Sequence, residues 1–592
     1  MFKRSLFYDW FQQMRKPQLH LVLLGFFFLG FFHYTEPNPG GIGLEVPNNN
    51  AAWIAISFII GLALFAIARE KKIVYSQLTV WLFVCVCCLC IPTFYPESKL
   101  INESPLHLAL LGGFLFYSGL QQFKPDIKLL NIILFMVLSA VIIEAVIAWH
   151  TYFGISWLHF SMEGPGFSIP YGAVRQRNSL STLFVTGLII SAWLLDPKNR
   201  EDFSENLNKV FTCLIFLTPI LLIPLVVILK SRTGWISASV SLTLVLPYLW
   251  IIKANKIVLA WILAVILGLL VVPMLNQFSD EAEVVPAEKL TLSGPRNYFY
   301  EQVVDLALEK PILGHGFGSF EKEYAHFSAL GYANGDYEYP AYENLSHPHN
   351  ELVYWWIEGG ILGLAGLLLA AYFVLRNIFK IPNTDKKMLF LALFFPIVLH
   401  TQTEIPFYTS IVLWFIFLTL ILLVDVHTDQ YKEKKMYLSL LPGMLAFLIP
   451  ALVTIFMLTT LQSGRLLNQV ERDLNVEVSI LEKITNPVVW QDRLLWDMNF
   501  GLLALAVYQD RPELAVNYIE WATEIIKRKP RAGYYQFLVV AYKVLGDDVQ
   551  VKAVQAEALY LFPGKDFDLD ITVFRGINNK NIDEIQPNML AE

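Results

Sequence analysis

The sequence predicts an all-α polytopic membrane protein of about 13 transmembrane helices, followed by a C-terminal helical domain of tetratricopeptide type. Three observations carry that prediction. Hydrophobic residues make up 55% of the 592 and charged residues only 16%, where soluble domains run near a quarter charged. The apolar residues gather in runs long enough to cross a bilayer, separated by polar loops, as far as residue 461. From residue 462 Arg, Asp, Glu, Asn and Trp return and no run is long enough for lipid. The expected division is therefore a transmembrane domain over 1–461, including a polar loop at 276–350, and a helical domain over 462–592.

The apolar runs lie near 19–34, 51–68, 74–91, 106–121, 129–150, 179–195, 210–229, 234–252, 257–275, 351–375, 388–403, 406–424 and 437–461. Several are shorter than the ~20 residues of a perpendicular span, which leaves the count open by about one. The first run, Leu19–Phe32, has no small-residue cleavage site after it and reads as a retained anchor. Lys and Arg set the orientation. One set of loops carries Lys3/Arg4/Arg15/Lys16, Arg69/Lys71/Lys72, Lys124/Lys128, Lys198/Arg200/Lys209, Lys253/Lys256, Arg376/Lys380/Lys386/Lys387 and Lys432/Lys434/Lys435. The alternate short loops hold only Lys99, Arg175/Arg177 and Lys230/Arg232. The first set is expected in the cytoplasm with the N-terminus, and an odd number of spans then places the tail outside.

The net charge of -7 and the lack of a basic arm argue against a nucleic-acid partner. All five cysteines fall in apolar runs. Cys85/Cys88 and Cys87/Cys90 have CxxC spacing, but without His or polar neighbours they read as small apolar side chains, and no disulfide framework is implied. In the tail, Ala504–Tyr508 with Asp510-Arg511-Pro512 and a helix ending at Pro530 matches Val540–Tyr542 with Gly546-Asp547-Asp548 and a helix ending at Pro563. The offset is near the 34-residue helix-turn-helix repeat. Two copies are too few for a free solenoid, so the helices of 466–500 are expected to pack against them. An ordinary small helical bundle is the alternative.

The polar residues that can do chemistry sit in the alternate, external loops. Ser346-His347-Pro348-His349-Asn350-Glu351 closes the 276–350 loop just where an apolar helical period begins. Asn350 suits the N-cap, which places His349 beside the positive end of a helix at the membrane surface. Arg175-Gln176-Arg177-Asn178 immediately precedes another apolar run. That stretch reads either as an anion-binding helix start or as a polar loop with snorkelling arginines. Lys230-Ser231-Arg232-Thr233-Gly234 is a very short turn that breaks the positive-inside pattern, and a cation there is costly unless it meets an anion or snorkels to headgroups. The tip His400-Thr401-Gln402-Thr403-Glu404-Ile405-Pro406-Phe407-Tyr408 joins them. Glu144 is the main carboxylate inside an apolar run.

The large loop adds Arg296-Asn297-Tyr298 and the run Pro311-Ile312-Leu313-Gly314-His315-Gly316-Phe317-Gly318. The run lacks the Lys-Ser/Thr of a nucleotide loop and reads as a place where backbones pack closely, or as an amide nest for an anion. Tyr324, Tyr332, Tyr337, Tyr339, Tyr342 and Tyr354 suit carbohydrate or peptide stacking and equally the interfacial aromatic belt. His347 and His349, two apart, share a metal only on an extended segment, so no metal site is expected. No nucleophile elbow supports Ser-His-Asp chemistry. External arginines with a His or Glu make a site that binds a polyanion and removes a proton. For a membrane protein without a nucleotide motif, a lipid-linked diphosphate is the substrate such a site fits.

These residues resemble a known family. His347-Pro348-His349-Asn350-Glu351 followed by Glu358-Gly359-Gly360-Ile361-Leu362-Gly363, with Pro311–Gly318 upstream, is similar to the O-antigen ligase/polymerase superfamily, and Ser231-Arg232-Thr233-Gly234 resembles its arginine motif. Pro170-Tyr171-Gly172-Ala173-Val174-Arg175-Gln176-Arg177-Asn178 resembles the signature of the bacterial protein O-oligosaccharyltransferases, the pilin glycosylation ligases. The Glu404–Tyr408 tip and the helical tail fit that branch. The resemblance covers most of 150–592. It implies transfer of a preassembled glycan from undecaprenyl diphosphate to a Ser or Thr hydroxyl of a type IV pilin or other exported protein, at the periplasmic face of the bacterial inner membrane, without metal, nucleotide or other cofactor. Matched position by position, Gln176, Arg232, His349 and Tyr408 are the expected catalytic residues. Arg175, Arg177, Asn178, Arg296, His347 and Glu404 are expected to bind substrate. The rival readings are a lipopolysaccharide ligase or glycan polymerase of the same superfamily and, more distantly, a transporter.

Overall fold

A computed structural model describes residues 16–96, 98, 100–155, 170–201, 203–252, 255–276, 296–472 and 478–571. Expectations resting on 156–169, on Gly294-Pro295, and on Lys3, Arg4, Arg15, Lys99 and Lys253 fall outside these residues. Helices carry the apolar runs. Among the described residues nine helices are long and apolar enough to cross a membrane, and Leu19–His33 and Leu106–Gln121 are shorter apolar helices. The runs at 179–195 and 388–403 form the helices Arg177–Trp193 and Thr384–Thr401. Every residue from Ser179 to Trp193 is buried, so this helix, with its Ser and Thr side chains, faces protein rather than lipid.

The chain forms two compact units: 1–86, 108–291 and 368–461 make the first, and 87–107, 292–367 and 462–592 make the second. In the first unit helix starts are capped by short polar side chains, as the unpaired first-turn N–H groups require. Asp126 accepts from the Leu129 amide at 2.8 Å, and Ser204, Ser231 and Ser410 cap the helices that follow them. Phe415 anchors the core, its ring 5.8 Å from Phe27, 5.2 Å from Trp53 and 4.9 Å from Phe116. Small residues let large ones in: a Cβ on Gly112 would stand 2.6 Å from Trp53, and one on Gly113 would stand 2.3 Å from Trp414. That is how membrane helices approach one another without a hydrophobic driving force.

An unpredicted feature of the first unit is a two-stranded antiparallel ribbon, Lys72–Tyr75 against Lys432–Lys435, with Lys72 opposite Lys435. Glu433 offsets the like charges, accepting from Lys72 at 3.2 Å and from Lys124. The two ammonium groups, Lys124 foremost, hold its carboxyl below the usual range.

In the second unit the helices Gln491–Tyr508, Ala515–Ile525, Ala532–Leu545 and Asp548–Leu561 pack in chain order around Tyr518, Tyr535, Phe537 and Leu538. Gly546 ends one helix in the left-handed region (φ 72°), and Asp547 starts the next by accepting from the Gln550 amide at 3.1 Å. The Phe320–Asn334 helix of the polar loop packs on Asp548–Leu561. It is tied by Arg531, which donates to both Glu321 oxygens at 2.6 and 3.1 Å. Burial alone would lower the Arg531 pKa, but Glu321 outweighs it and raises the pKa above the usual value.

Candidate functional site

In the first unit three stretches far apart in sequence converge. The 170–178 turn is anchored at its start by Thr151, whose hydroxyl donates to the Tyr171 carbonyl at 2.9 Å. Gln176 then stands at the N-cap of Arg177–Trp193. Ser179 Oγ donates to Gln176 Oε1 at 2.5 Å, which engages the amide oxygen and leaves the amide N–H donors for a ligand. Arg177 is the first helical residue and is exposed.

The second stretch repeats this layout. Lys230 turns the chain in the left-handed region (φ 53°), Ser231 caps the helix Arg232–Ile251 by accepting from Gly234 N at 3.1 Å, and Arg232 is its exposed first residue. Ser231 Oγ also donates to Asn178 Oδ1 at 2.7 Å, lacing the two helix starts together. The approach is close enough to require glycine. A Cβ on Gly234 would lie 1.8 Å from Ser181 Oγ and 2.8 Å from Ser181 Cβ. Two helix N-termini, each headed by an exposed arginine, thus lie side by side. The unpaired N–H groups, the positive dipole ends and the guanidinium groups all favour an anion there.

The third stretch is the 400–410 tip. Thr403 Oγ1 lies 3.0 Å from Thr233 Oγ1, His400 Nδ1 lies 3.0 Å from Thr182 Oγ1, and Thr409 Oγ1 lies 2.7 Å from Ser179 Oγ. Glu404 is buried and Tyr408 half-buried within this tip. Asn49 holds the far side: its Oδ1 accepts from Ile411 N at 3.0 Å and its Nδ2 donates to the Thr409 carbonyl at 3.4 Å. The Gln176, Arg177, Asn178 and Arg232 positions therefore share one surface, with the Glu404–Tyr408 segment joined to it through Thr403 and Thr409. Arg175 departs from the group. It donates to Asn38 Oδ1 at 2.7 Å and to the Glu36 carbonyl at 3.1 Å, and so ties the turn to the 36–38 segment.

The second unit holds the histidines. Asn350 caps Glu351–Lys380 as expected, its Oδ1 accepting from Val353 N at 3.1 Å. His349, just before it, occupies the left-handed region (φ 54°), uncommon for a residue with a side chain and often found where function demands it. Tyr300 OH donates to the His349 carbonyl at 3.2 Å, and the His347 ring packs edge-on at 4.4 Å. Tyr300 lies one turn along the helix Arg296–Glu309, so Arg296 heads the helix that steadies His349. Ser346 Oγ lies 3.0 Å from His347 Nδ1.

The glycine run is a packing device. The Glu351–Lys380 helix breaks at Gly360 (φ 62°, ψ -155°), and the 312–316 backbone enters the break. His315 N donates to Ile357 O at 2.7 Å, Gly316 N to Glu358 O at 3.0 Å, and Ile361 N to Ile312 O at 3.1 Å. A Cβ on Gly314 would lie 2.6 Å from Glu358 O, and one on Gly360 would lie 2.2 Å from Ile312 O. Glu358 Oε1 accepts from Phe320 N at 3.0 Å, which locks the following helix to the same break. Sequence reasoning missed Ser179, Thr409 and Asn49 as the linkers of the first-unit surface. The Asn48-Asn49-Asn50 triplet at the head of an apolar run was the available signal.

Comparison with known protein families gives two matches. A family model described as O-Antigen ligase matches residues 217–368, which hold Arg232 and His349. One described as virulence factor membrane-bound polymerase, C-terminal, matches residues 388–575, which hold the 400–410 tip and the helical tail. No curated protein matches the chain significantly.

Proposed function

Since the chain belongs to the O-antigen ligase superfamily and is a membrane protein of glycan ligase or polymerase type, we propose that it transfers a preassembled oligosaccharide from undecaprenyl diphosphate to Ser or Thr hydroxyls of exported proteins such as type IV pilin, at the periplasmic face of the bacterial inner membrane. The observation that carries this reading is the pair of arginine-headed helix starts laced by Ser231 and Asn178. Two cations and two sets of helix-end N–H groups suit a diphosphate better than a single phosphate or a neutral sugar.

In the proposed reaction the acceptor hydroxyl gives its proton to the His349 imidazole as its oxygen bonds to the anomeric carbon. The bond from that carbon to the diphosphate oxygen breaks, and the diphosphate leaves on its lipid. Arg232 and Arg177 stabilise the charge that grows on the leaving group, and the Gln176 amide donates to the same oxygens. Glu404 and Tyr408 orient the sugar beside it. His347 and Arg296 position His349. The four helices after Gln491 offer a surface for the acceptor protein.

A sugar hydroxyl as acceptor is the second reading, favoured by the polymerase match across 388–575. Mass spectrometry of pilin beside a lipopolysaccharide gel, from cells lacking the chain, separates the two. Unmodified pilin with an intact ladder supports the protein acceptor. Glycosylated pilin with a lost ladder overturns it.

A further inference from the structure

The buried carboxylate Glu144 has no part in the transfer as proposed, yet it reaches the turn that carries Gln176 and Arg177. It sits in the helix Ile127–Tyr152, fully shielded from solvent. A lone carboxylate inside an apolar helix is costly, so its partners mark its task. Oε2 accepts from the Ala173 amide at 2.9 Å, and Oε1 lies 2.5 Å from Nδ1 of His33. A Cβ on Gly172 would fall 2.0 Å from Oε2, so the backbone lies directly on the carboxylate. Beyond Ala173, the next polar anchors of the turn are Arg175 on Asn38 and Gln176 on Ser179.

From this geometry we propose that Glu144, oriented by His33, is a positioning residue for the donor site. It pins the 172–173 backbone, and thereby sets the direction in which Gln176 and Arg177 meet the diphosphate. The inference rests on the proposed reading of Arg177 as a diphosphate contact. In the His33 tautomer protonated on Nδ1, that N–H donates to Oε1 while the Ala173 N–H donates to Oε2, so each oxygen is held and the side chain cannot swing away from the turn. Aspartate retains the charge but is one methylene too short to meet both partners. Glutamine has the same reach and can accept from Ala173 while donating to a His33 tautomer protonated on Nε2.

The test joins kinetics to a probe that needs no activity. Glu144→Ala, Glu144→Asp and, independently, Gly172→Ala should each lower kcat/KM for the lipid-linked donor about 10- to 100-fold, as a misplacement near 1 Å does. The loss should lie in kcat and donor KM, with acceptor KM within twofold of the parent. Glu144→Gln should restore most of the lost kcat/KM for the donor. In a variant with its native cysteines replaced, a nitroxide at Arg177→Cys should become more mobile with Glu144→Asp, and one at Ser239→Cys should not. Unchanged label mobility, or a loss shared equally by donor and acceptor KM, overturns the proposal. A parent protein that transfers no glycan would overturn the functional reading instead, and the label would still decide the role of Glu144.

Discussion

Replacing Gly234 by alanine tests whether the two arginine-headed helices must be held at their observed separation. In an isolated helix this change would stabilise by about 0.5–1 kcal/mol. Here the new methyl carbon meets Ser181 Oγ at 1.8 Å and Ser181 Cβ at 2.8 Å. Rotating the hydroxyl away relieves only the first overlap. Carbon atoms prefer roughly 3.5–4.0 Å, so the helices must part by about 1 Å or the core must carry an overpacking cost of about 1–3 kcal/mol. A 1 Å displacement of a group that binds the reacting centre costs about 10²-fold in rate. Gly234→Ala should therefore keep membrane insertion and lose about two orders of magnitude in glycan transfer, measured as donor consumed by purified protein in proteoliposomes. Ser181 Oγ is buried without a hydrogen-bond partner, so removing it sacrifices no bond. Adding Ser181→Gly to Gly234→Ala should then recover most of the lost rate. Wild-type transfer by Gly234→Ala alone, or no recovery in the double variant, would refute the argument from close approach.

Other perturbations separate the roles of single groups. Arg232 is exposed at the first helical position, so Arg232→Ala should leave thermal stability within about 0.5 kcal/mol and lower kcat about 10²–10³-fold; Arg232→Lys should rescue poorly, because an ammonium lacks the two-pronged contact. His349→Ala should abolish transfer while lipid-donor binding persists, and retained transfer would remove His349 from the reaction. In the tail, burial and the neighbouring Glu471 carboxylate push the Asp497 pKa well above the usual carboxylate range, although Arg493, paired with Glu471 at 2.5 and 2.7 Å, pulls the other way. Its folded pKa thus lies above its unfolded value of about 3.9, so its contribution to stability is full at low pH and is lost as pH rises through the folded pKa. Asp497→Asn should flatten that part of the stability–pH curve in thermal melts. Deleting 466–592 should weaken acceptor use more than donor binding in transfer and lipid-binding assays; equal losses would point to a structural role for the tail.

The helices and much of the candidate surface were legible because their signals are local. Apolar runs mark the helices, Asn350 announces a cap, and the glycines of Pro311–Gly318 indicate the close backbone packing that joins 312–316 to the broken helix. What escaped depends on long-range pairing. Ser179 and Thr409 meet across 230 positions, and His33 and Glu144 across 111. Nothing in either segment alone names its partner. Arg175 looked like its neighbour Arg177, yet the two diverge because one side chain turns to Asn38 while the other heads a helix. The ribbon Lys72–Tyr75/Lys432–Lys435 was illegible for another reason. Four residues per strand, one of them Lys-Glu-Lys-Lys, carry no strand periodicity.

The central claim, that the chain moves a whole glycan from a lipid diphosphate onto a protein hydroxyl, is tested most directly by reconstitution. Purified chain in proteoliposomes, supplied with undecaprenyl-diphosphate oligosaccharide and an exported pilin, should raise the intact mass of the pilin by one oligosaccharide and release undecaprenyl diphosphate in equal amount. An Arg232→Ala preparation should do neither at a measurable rate. Donor consumed with unmodified pilin and a lengthened lipid-linked glycan would contradict the claim and identify a polymerase.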